Sequence, residues 1–362
     1  ESLLPLGMDV LEEAGVLHII ENEPFQLKNG IAFTYQNHYT AFDFRHKHGK
    51  GKNFALQVDR ARFDHLLILQ AQQHGADVHF GETVISMDNS TEPIQLKIQQ
   101  NSGIQYDLHA HFVLDASGYF RAVPRLLGWE ITQGITQHNV YHTQIHDRIT
   151  HPKFDRNKNL IAVHPEYRDI WMWLIPLDNQ RSSVGLVGQA RYFKQAEDQA
   201  GRLLGASELL KKYFSEVPLF QKIMPNANWD NGFPFYYIPS YSAGVKDNHG
   251  NGFALLGNAA GFLDPVFSSG ISSAMYSAKL AVEVLTRQFD GEKVDWQSEY
   301  ASRQAYGAQV FKTSIDNWYN GSLQDWVFNP SHSPESREML CAVLAGYAWD
   351  SSNPYVRDAQ LA

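Results

Sequence analysis

Residues 252–287 constrain the fold of this chain more than any other stretch. Gly252-Phe253-Ala254-Leu255-Leu256 is a short apolar run with the length and composition of a buried strand. It leads straight into Gly257-Asn258-Ala259-Ala260-Gly261-Phe262-Leu263-Asp264-Pro265, and a long helical pattern follows over 271–287. A buried strand, a small-residue loop and a helix in succession present free backbone N–H groups to an anion. Gly257, Gly261 and Gly270, with Ser268 and Ser269 beside the helix start, let a cofactor's backbone or ring edge come close. Alone, such a loop is also an ordinary connection that binds nothing.

A second segment narrows the choice. Trp171-Met172-Trp173-Leu174-Ile175-Pro176 holds two of the rarest residues one position apart. On a strand, Trp171 and Trp173 point to one face and Met172 and Leu174 to the other. Such a run is either a strand buried on both faces or a rigid indole wall beside a ligand.

The rest of the chain reads as a mixture of helices and strands. A helix is expected over 8–14, ended by Gly15, and strands within 25–44. Residues 45–53 form a basic glycine-containing loop, read as an exposed hairpin or flap in preference to an anion site. After Val58-Asp59-Arg60, a helix carries Phe63, Leu66, Leu67 and Ala71 on one face, with Gly75 at its end. Short strands are expected over 77–80 and 84–87. A hairpin follows, with arms 94–99 and 106–114 around Asn101-Ser102-Gly103, and its second arm ends in Asp115-Ala116-Ser117-Gly118. Residues 138–242 read mostly as strands with one helix near 208–214, and 294–349 as helical.

Composition excludes several classes. With 362 residues and 43% hydrophobic content, the chain can bury a large core. Net charge is −9 without a long basic run, which argues against binding nucleic acid or an anionic membrane surface. The single cysteine, Cys341, rules out an internal disulfide and any paired-cysteine metal or redox motif, so a reducing cytoplasmic setting is expected. No apolar stretch is long enough to insert stably in a membrane. The 16 histidines are scattered without metal-binding spacing, and no metal site is expected.

Taken together, Val58-Asp59-Arg60-x-x-Phe63-Asp64, Asp115-Ala116-Ser117-Gly118 and Gly257-Asn258-Ala259-Ala260-Gly261 resemble the FAD-binding motifs of flavin monooxygenases in order and spacing. Trp171-x-Trp173-x-Ile175-Pro176 is similar to the hallmark of the flavin-dependent halogenases, as are Glu1-Ser2-Leu3-Leu4-Pro5 and the run from Asp264 to Ile271. The resemblance implies an α/β fold of mixed α+β character. Its parts are an FAD-binding Rossmann-like domain (1–24, 53–130 and 243–292), an inserted antiparallel β-sheet substrate domain (25–52 and 131–242) and a helical C-terminal region (293–362). It implies FAD contacts at Arg60, Val84, Asp115, Gly118, Gly257, Asn258, Gly261, Asp264 and Pro265. It also implies a chloride or bromide site at the backbone of Ser269 and Gly270. In such enzymes FAD arrives as FADH2 from a separate flavin reductase, and oxygen and halide yield hypohalous acid. Lys28 matches the lysine that delivers halogen to a small aromatic substrate, and Trp171 and Trp173 match the wall that keeps substrate from the flavin. Read from its neighbours alone, Lys28 is a snorkelling surface lysine on a strand in preference to a nucleophilic amine.

Three departures shape the expectation. No GxGxxG segment precedes Glu1, so the N-terminal βαβ unit is missing and the chain is expected to be a fragment. Asn258 stands where the family carries Asp. Phe267 stands where tryptophan halogenases carry Glu, which points to the compact type acting on phenols or pyrroles, free or tethered to a carrier protein. The alternatives are a flavin-dependent aromatic hydroxylase, a reductase of the geranylgeranyl reductase group, or a non-catalytic flavoprotein remnant.

Overall fold

The computed structural model describes residues 1–131, 138–239 and 242–359. Residues 132–137 and 240–241 of the expected 131–242 segment lie outside the described residues. A seven-stranded sheet runs in the order Tyr236–Ile238, His138–His146, Arg181–Gln189, Trp171–Pro176, Lys158–Val163, Gly30–Tyr35, His38–Asp43. All neighbours are antiparallel except Lys158–Val163 and Gly30–Tyr35, which run parallel.

Every residue of the Trp171–Pro176 strand is buried, and the two faces feed different cores. Trp171, Trp173 and Ile175 pack with Phe33, Trp318, Leu340 and Leu344. The helices on that side are Ser302–Tyr319, Ser322–Phe328 and Pro334–Leu344. Met172 and Leu174 pack with Phe193, Leu210, Phe214 and Phe220, on helices Ala190–Ala200, Ala206–Glu216 and Pro218–Ile223. Period-two alternation in a fully buried strand thus splits one apolar run between two layers. Trp173 fits because Gly185 lies directly across the ladder from it.

Beside this sheet, Val113–Asp115 pairs in parallel with Phe253–Leu255. The latter strand delivers the chain to the 257–268 loop and to the helix Ser269–Phe289. A three-stranded antiparallel sheet, Glu82–Asp88, Ile94–Gln100 and Gln105–Ala110, flanks it. Among the described residues no helix is long and apolar enough to cross a membrane.

Four expectations need correction. Residues 77–80 form no strand. The expected 106–114 arm divides: Gln105–Ala110 completes the hairpin, whereas Val113–Asp115 leaves it to pair with Phe253–Leu255. Residues 105–115 carry no Gly or Pro to mark the break, and the pairing partner lies far along the chain. Where one helix was expected within 138–242 there are three, separated by left-handed Gly201 and by Pro218 at a helix start. The 45–53 loop is no free flap. His48 N–H donates to the Glu338 carbonyl, Lys52 pairs with Glu12, and the Lys47 ammonium sits 4.7 Å from the Tyr347 ring centroid.

A Cβ on residue 185 would meet Trp173 Cζ2 at 2.2 Å. Gly185→Ala is therefore expected to destabilise the protein by about 1–3 kcal/mol through overpacking, read as a lower urea midpoint with a shifted tryptophan emission.

Candidate active site

A cavity of about 520 Å³ opens between the Trp171–Pro176 strand and the Ser269–Phe289 helix. The strand supplies Trp171, Trp173 and Ile175 to its lining, and the loop and helix supply Gly257, Asn258, Pro265, Ser268 and Gly270. Arg60, Gly118 and Ser2 also line it. The two indoles are held rather than loosely packed. Their ring centroids are 5.8 Å apart, Trp171 Nε1 donates to Tyr319 Oη at 2.9 Å, and Trp173 Nε1 donates to Ser183 Oγ at 3.1 Å. Satisfying both indole N–H groups away from the cavity leaves it flat apolar ring faces.

The loop side is built for close approach. Gly257 has φ +52°, and a Cβ there would meet the Ala274 Cβ at 2.6 Å, so backbone stands where any larger residue would displace the helix. A second cavity of about 500 Å³ shares Gly257, Asn258 and Gly270 and adds Gly261, Asp264 and Ser269. The Gly257–Gly270 segment is thus a thin partition with space on both sides. Ser268 closes it in a left-handed conformation, and the 21-residue helix begins at Ser269 without a side-chain cap. Its first N–H groups and the positive end of the helix dipole therefore lack a side-chain anion. The residues present fit a flavin: indole faces for a flat ring, backbone at van der Waals range, and the Asn258 carboxamide for a hydroxylated tail.

The expected site residues divide. The first cavity gathers Trp171, Trp173, Arg60, Gly118, Gly257, Asn258, Pro265 and Gly270; the second reaches Gly261, Asp264 and Ser269. Arg60 is half-exposed and paired with Asp64 at 2.9 Å. The buried Asp115 carboxylate accepts from Ser117 N–H and Val123 N–H, both at 2.8 Å, so it organises its own loop and lines neither cavity. Asp264 accepts from Val266 N–H and from Tyr319 Oη. Val84 lies apart, packed against Ile94, Leu96 and Ile98.

Lys28 ends the short strand Gln26–Lys28 and is wholly enclosed. Its Nζ donates to Ser2 Oγ at 2.7 Å and to the Leu3 carbonyl at 3.0 Å. Burial lowers its pKa from 10.5 to about 7, because enclosure strips the ammonium of water. Lys28 lines neither cavity; its neighbour Ser2 lines the first. Phe267 is buried and meets Trp318 edge to face with centroids 6.1 Å apart.

Several members of the site escaped the sequence. Tyr119 and Phe262 line the first cavity and meet edge to face at 5.3 Å, although each directly follows an expected glycine, which was signal enough. Tyr319 and Asn159 carry no local signal, since they come from a distant helix and a strand edge. Among the described residues, no group of three or more His, Cys, Asp or Glu is placed to hold a metal ion.

Residues 32–325 match the family model described as tryptophan halogenase. A chlorinase of 1H-pyrrole-2-carbonyl-peptidyl-carrier protein from Pseudomonas fluorescens is 26% identical over 343 residues, covering 88% of this chain and 73% of that protein. A tryptophan 2-halogenase from Chondromyces crocatus is 26% identical over 315 residues, with 81% of this chain but only 54% of that protein covered. Among solved structures, a flavoprotein/dehydrogenase from Cytophaga hutchinsonii superposes with a TM-score of 0.90 at 30% identity, covering 99% of this chain and 86% of that one.

Two outcomes follow from the geometry. Gly257→Ala is expected to abolish flavin uptake, checked by absorbance of the purified protein after adding FAD, because the new methyl pushes the loop off Ala274. Lys28→Met is expected to raise stability to urea most at pH 7 and below. The lysine is charged when unfolded up to its ordinary pKa and costly to keep charged when folded. The wild type therefore gains stability as pH rises from about 7 towards 10.5, and the advantage of the variant shrinks over that window.

Proposed function

The chain belongs to the tryptophan halogenase family of flavin-dependent halogenases, and from that premise we propose that it halogenates an electron-rich phenol or pyrrole, through Lys28. The observation that carries the proposal is the pairing of an indole-walled, glycine-floored cavity with an enclosed lysine whose hydrogen-bond partner Ser2 lines that cavity. FAD, when bound in reduced form, supplies with dioxygen the two-electron oxidation of chloride or bromide to hypohalous acid. The reduced flavin comes from a separate reductase, and the setting is the cytoplasm.

The remaining steps belong to this chain's residues. Trp171, Trp173 and Ile175 hold the flavin face and fill the space through which an aromatic substrate would reach it. The uncapped N–H groups of Ser269 and Gly270 hold the halide. Asn258 gives a hydroxyl of the cofactor a carbonyl acceptor in place of a carboxylate. Lys28, with its pKa near 7, is partly neutral at physiological pH. Its amine nitrogen bonds to the halogen of hypohalous acid as water leaves. The resulting haloamine then passes halogen to the ring carbon, and the ring proton is lost as the amine N–H is restored. Phe267 supplies no carboxylate to a substrate's polar group, which favours a phenol or pyrrole, free or carried as a thioester on a carrier protein. That last form is the one named for the Pseudomonas relative.

The test supplies FADH2 through a flavin reductase, with oxygen, bromide and a panel of free and carrier-bound phenols and pyrroles. Brominated product is expected from the wild type; hydroxylated product, or none with any substrate, overturns the proposal. Lys28→Ala is expected to lose halogenation by on the order of 100-fold, the scale of losing one positioned catalytic side chain, while still releasing peroxide. Wild-type kcat/KM is expected to rise with pH through about 7, as the Lys28 ammonium gives up its proton.

A further inference from the structure

Trp171 is buried in the cavity wall, and its indole N–H can only donate. The acceptor is Tyr319 Oη, 2.9 Å away at the end of the Ser302–Tyr319 helix. That bond takes a lone pair of the phenol and leaves the phenolic hydrogen for another acceptor. The Asp264 carboxylate accepts it through Oδ2 at 2.7 Å. Asp264 is itself held, since its Oδ1 accepts from Val266 N–H at 3.0 Å. The chain of bonds therefore runs one way, from indole to phenol and from phenol to carboxylate. A phenol that donates to a carboxylate is a better acceptor, so the outer bond strengthens the inner one.

The relay joins three separate elements. Trp171 opens the Trp171–Pro176 strand, Tyr319 closes a helix of the C-terminal region, and Asp264 sits in the partition and lines the second cavity. The His138 ring stacks on Tyr319, with centroids 4.2 Å apart and planes 15° apart, and seats the phenol. Burial lowers the His138 pKa to about 4, so this imidazole is neutral and sets no charge against the carboxylate. The other indole is held differently. Trp173 Nε1 donates to Ser183 Oγ, a neutral hydroxyl on the adjacent strand of the same sheet. Of the two indoles, Trp171 is the one tied to the partition.

We propose that Tyr319 is a positioning residue that turns the N–H edge of Trp171 away from the cavity and fixes the indole face against it, in register with the partition. Without the phenolic oxygen the buried N–H would lose its acceptor, and an unmade buried bond is costly. The indole would then turn that edge toward the cavity, where solvent can satisfy it. The role of the wall rests on the halogenation reading. The test is therefore made on the indole itself, without flavin, halide or substrate.

The protein is labelled with nitrogen-15, and hydrogen exchange of its eight tryptophan indole N–H groups is followed by NMR. Trp171→Phe and Trp173→Phe identify the two signals of interest. Tyr319→Phe is expected to speed exchange of the Trp171 N–H about tenfold, the scale of one hydrogen bond lost, and to leave Trp173 at its wild-type rate. Asp264→Asn keeps the phenol but replaces the carboxylate with a neutral amide. It is expected to speed the same exchange by a smaller factor and to move the Trp171 chemical shift, with Trp173 again unchanged. A tyrosine that only filled space would carry nothing from residue 264 to the indole, and this second variant serves should Tyr319→Phe not fold. An unchanged Trp171 rate in Tyr319→Phe, equal acceleration of Trp171 and Trp173, or a Trp171 signal unmoved by Asp264→Asn each overturns the proposal. If the exchange pattern holds and no halogenated product forms, the functional reading fails and the positioning role stands. Halogenated product without the pattern leaves the reading standing and removes the role.

Discussion

A strand buried on both faces dictates the plan of this molecule. Because side chains alternate along Trp171–Pro176, the indoles and Ile175 can reach only one layer, and Met172 and Leu174 only the other. A slip of one residue would exchange the two sets and leave neither core filled. Gly185 gives the Trp173 ring its place on the neighbouring strand. The cavity follows from this, since its flat wall is the indole face and its other side is the loop that Phe253–Leu255 delivers opposite it.

The site combines two unlike electrostatic conditions. At the start of the Ser269–Phe289 helix, backbone N–H groups meet no side-chain acceptor and favour a negative guest. Behind Ser2, burial disfavours the charge on Lys28 and leaves its amine near neutrality. Ser2, which accepts from Lys28 and lines the first cavity, stands between the two. The enclosed lysine costs folding free energy, which the large apolar clusters around it offset.

Much of this was legible locally. The Gly257–Gly270 loop, the double tryptophan and Asp115–Gly118 each carry their structural meaning within a few residues. Turn glycines, strand alternation and helix starts are short-range physics. The hairpin arm that divides after Ala110 was not legible, because Val113–Asp115 pairs with a strand more than a hundred residues on. Asp115 shows the same limit in another form: its place in a motif was evident, but its carboxylate accepts from Ser117 N–H and from Val123 N–H at the start of the next helix. Val84 belongs to a strand packed elsewhere, and nothing in its neighbours could have said so.

By itself, the sequence determined the alternating tryptophan strand, the strand, small-residue loop and helix over 252–287, and the family to which they belong, because each depends on spacing along the chain. Only the tertiary structure decided that Lys28 is sealed, that Ser2 stands between it and the cavity, and that Asn159 and Tyr319 hold the lysine's partner and the Trp171 indole. Those contacts join residues far apart in the chain. A lysine's proton affinity and a hydroxyl's direction are set by what surrounds them in space, which no local pattern records.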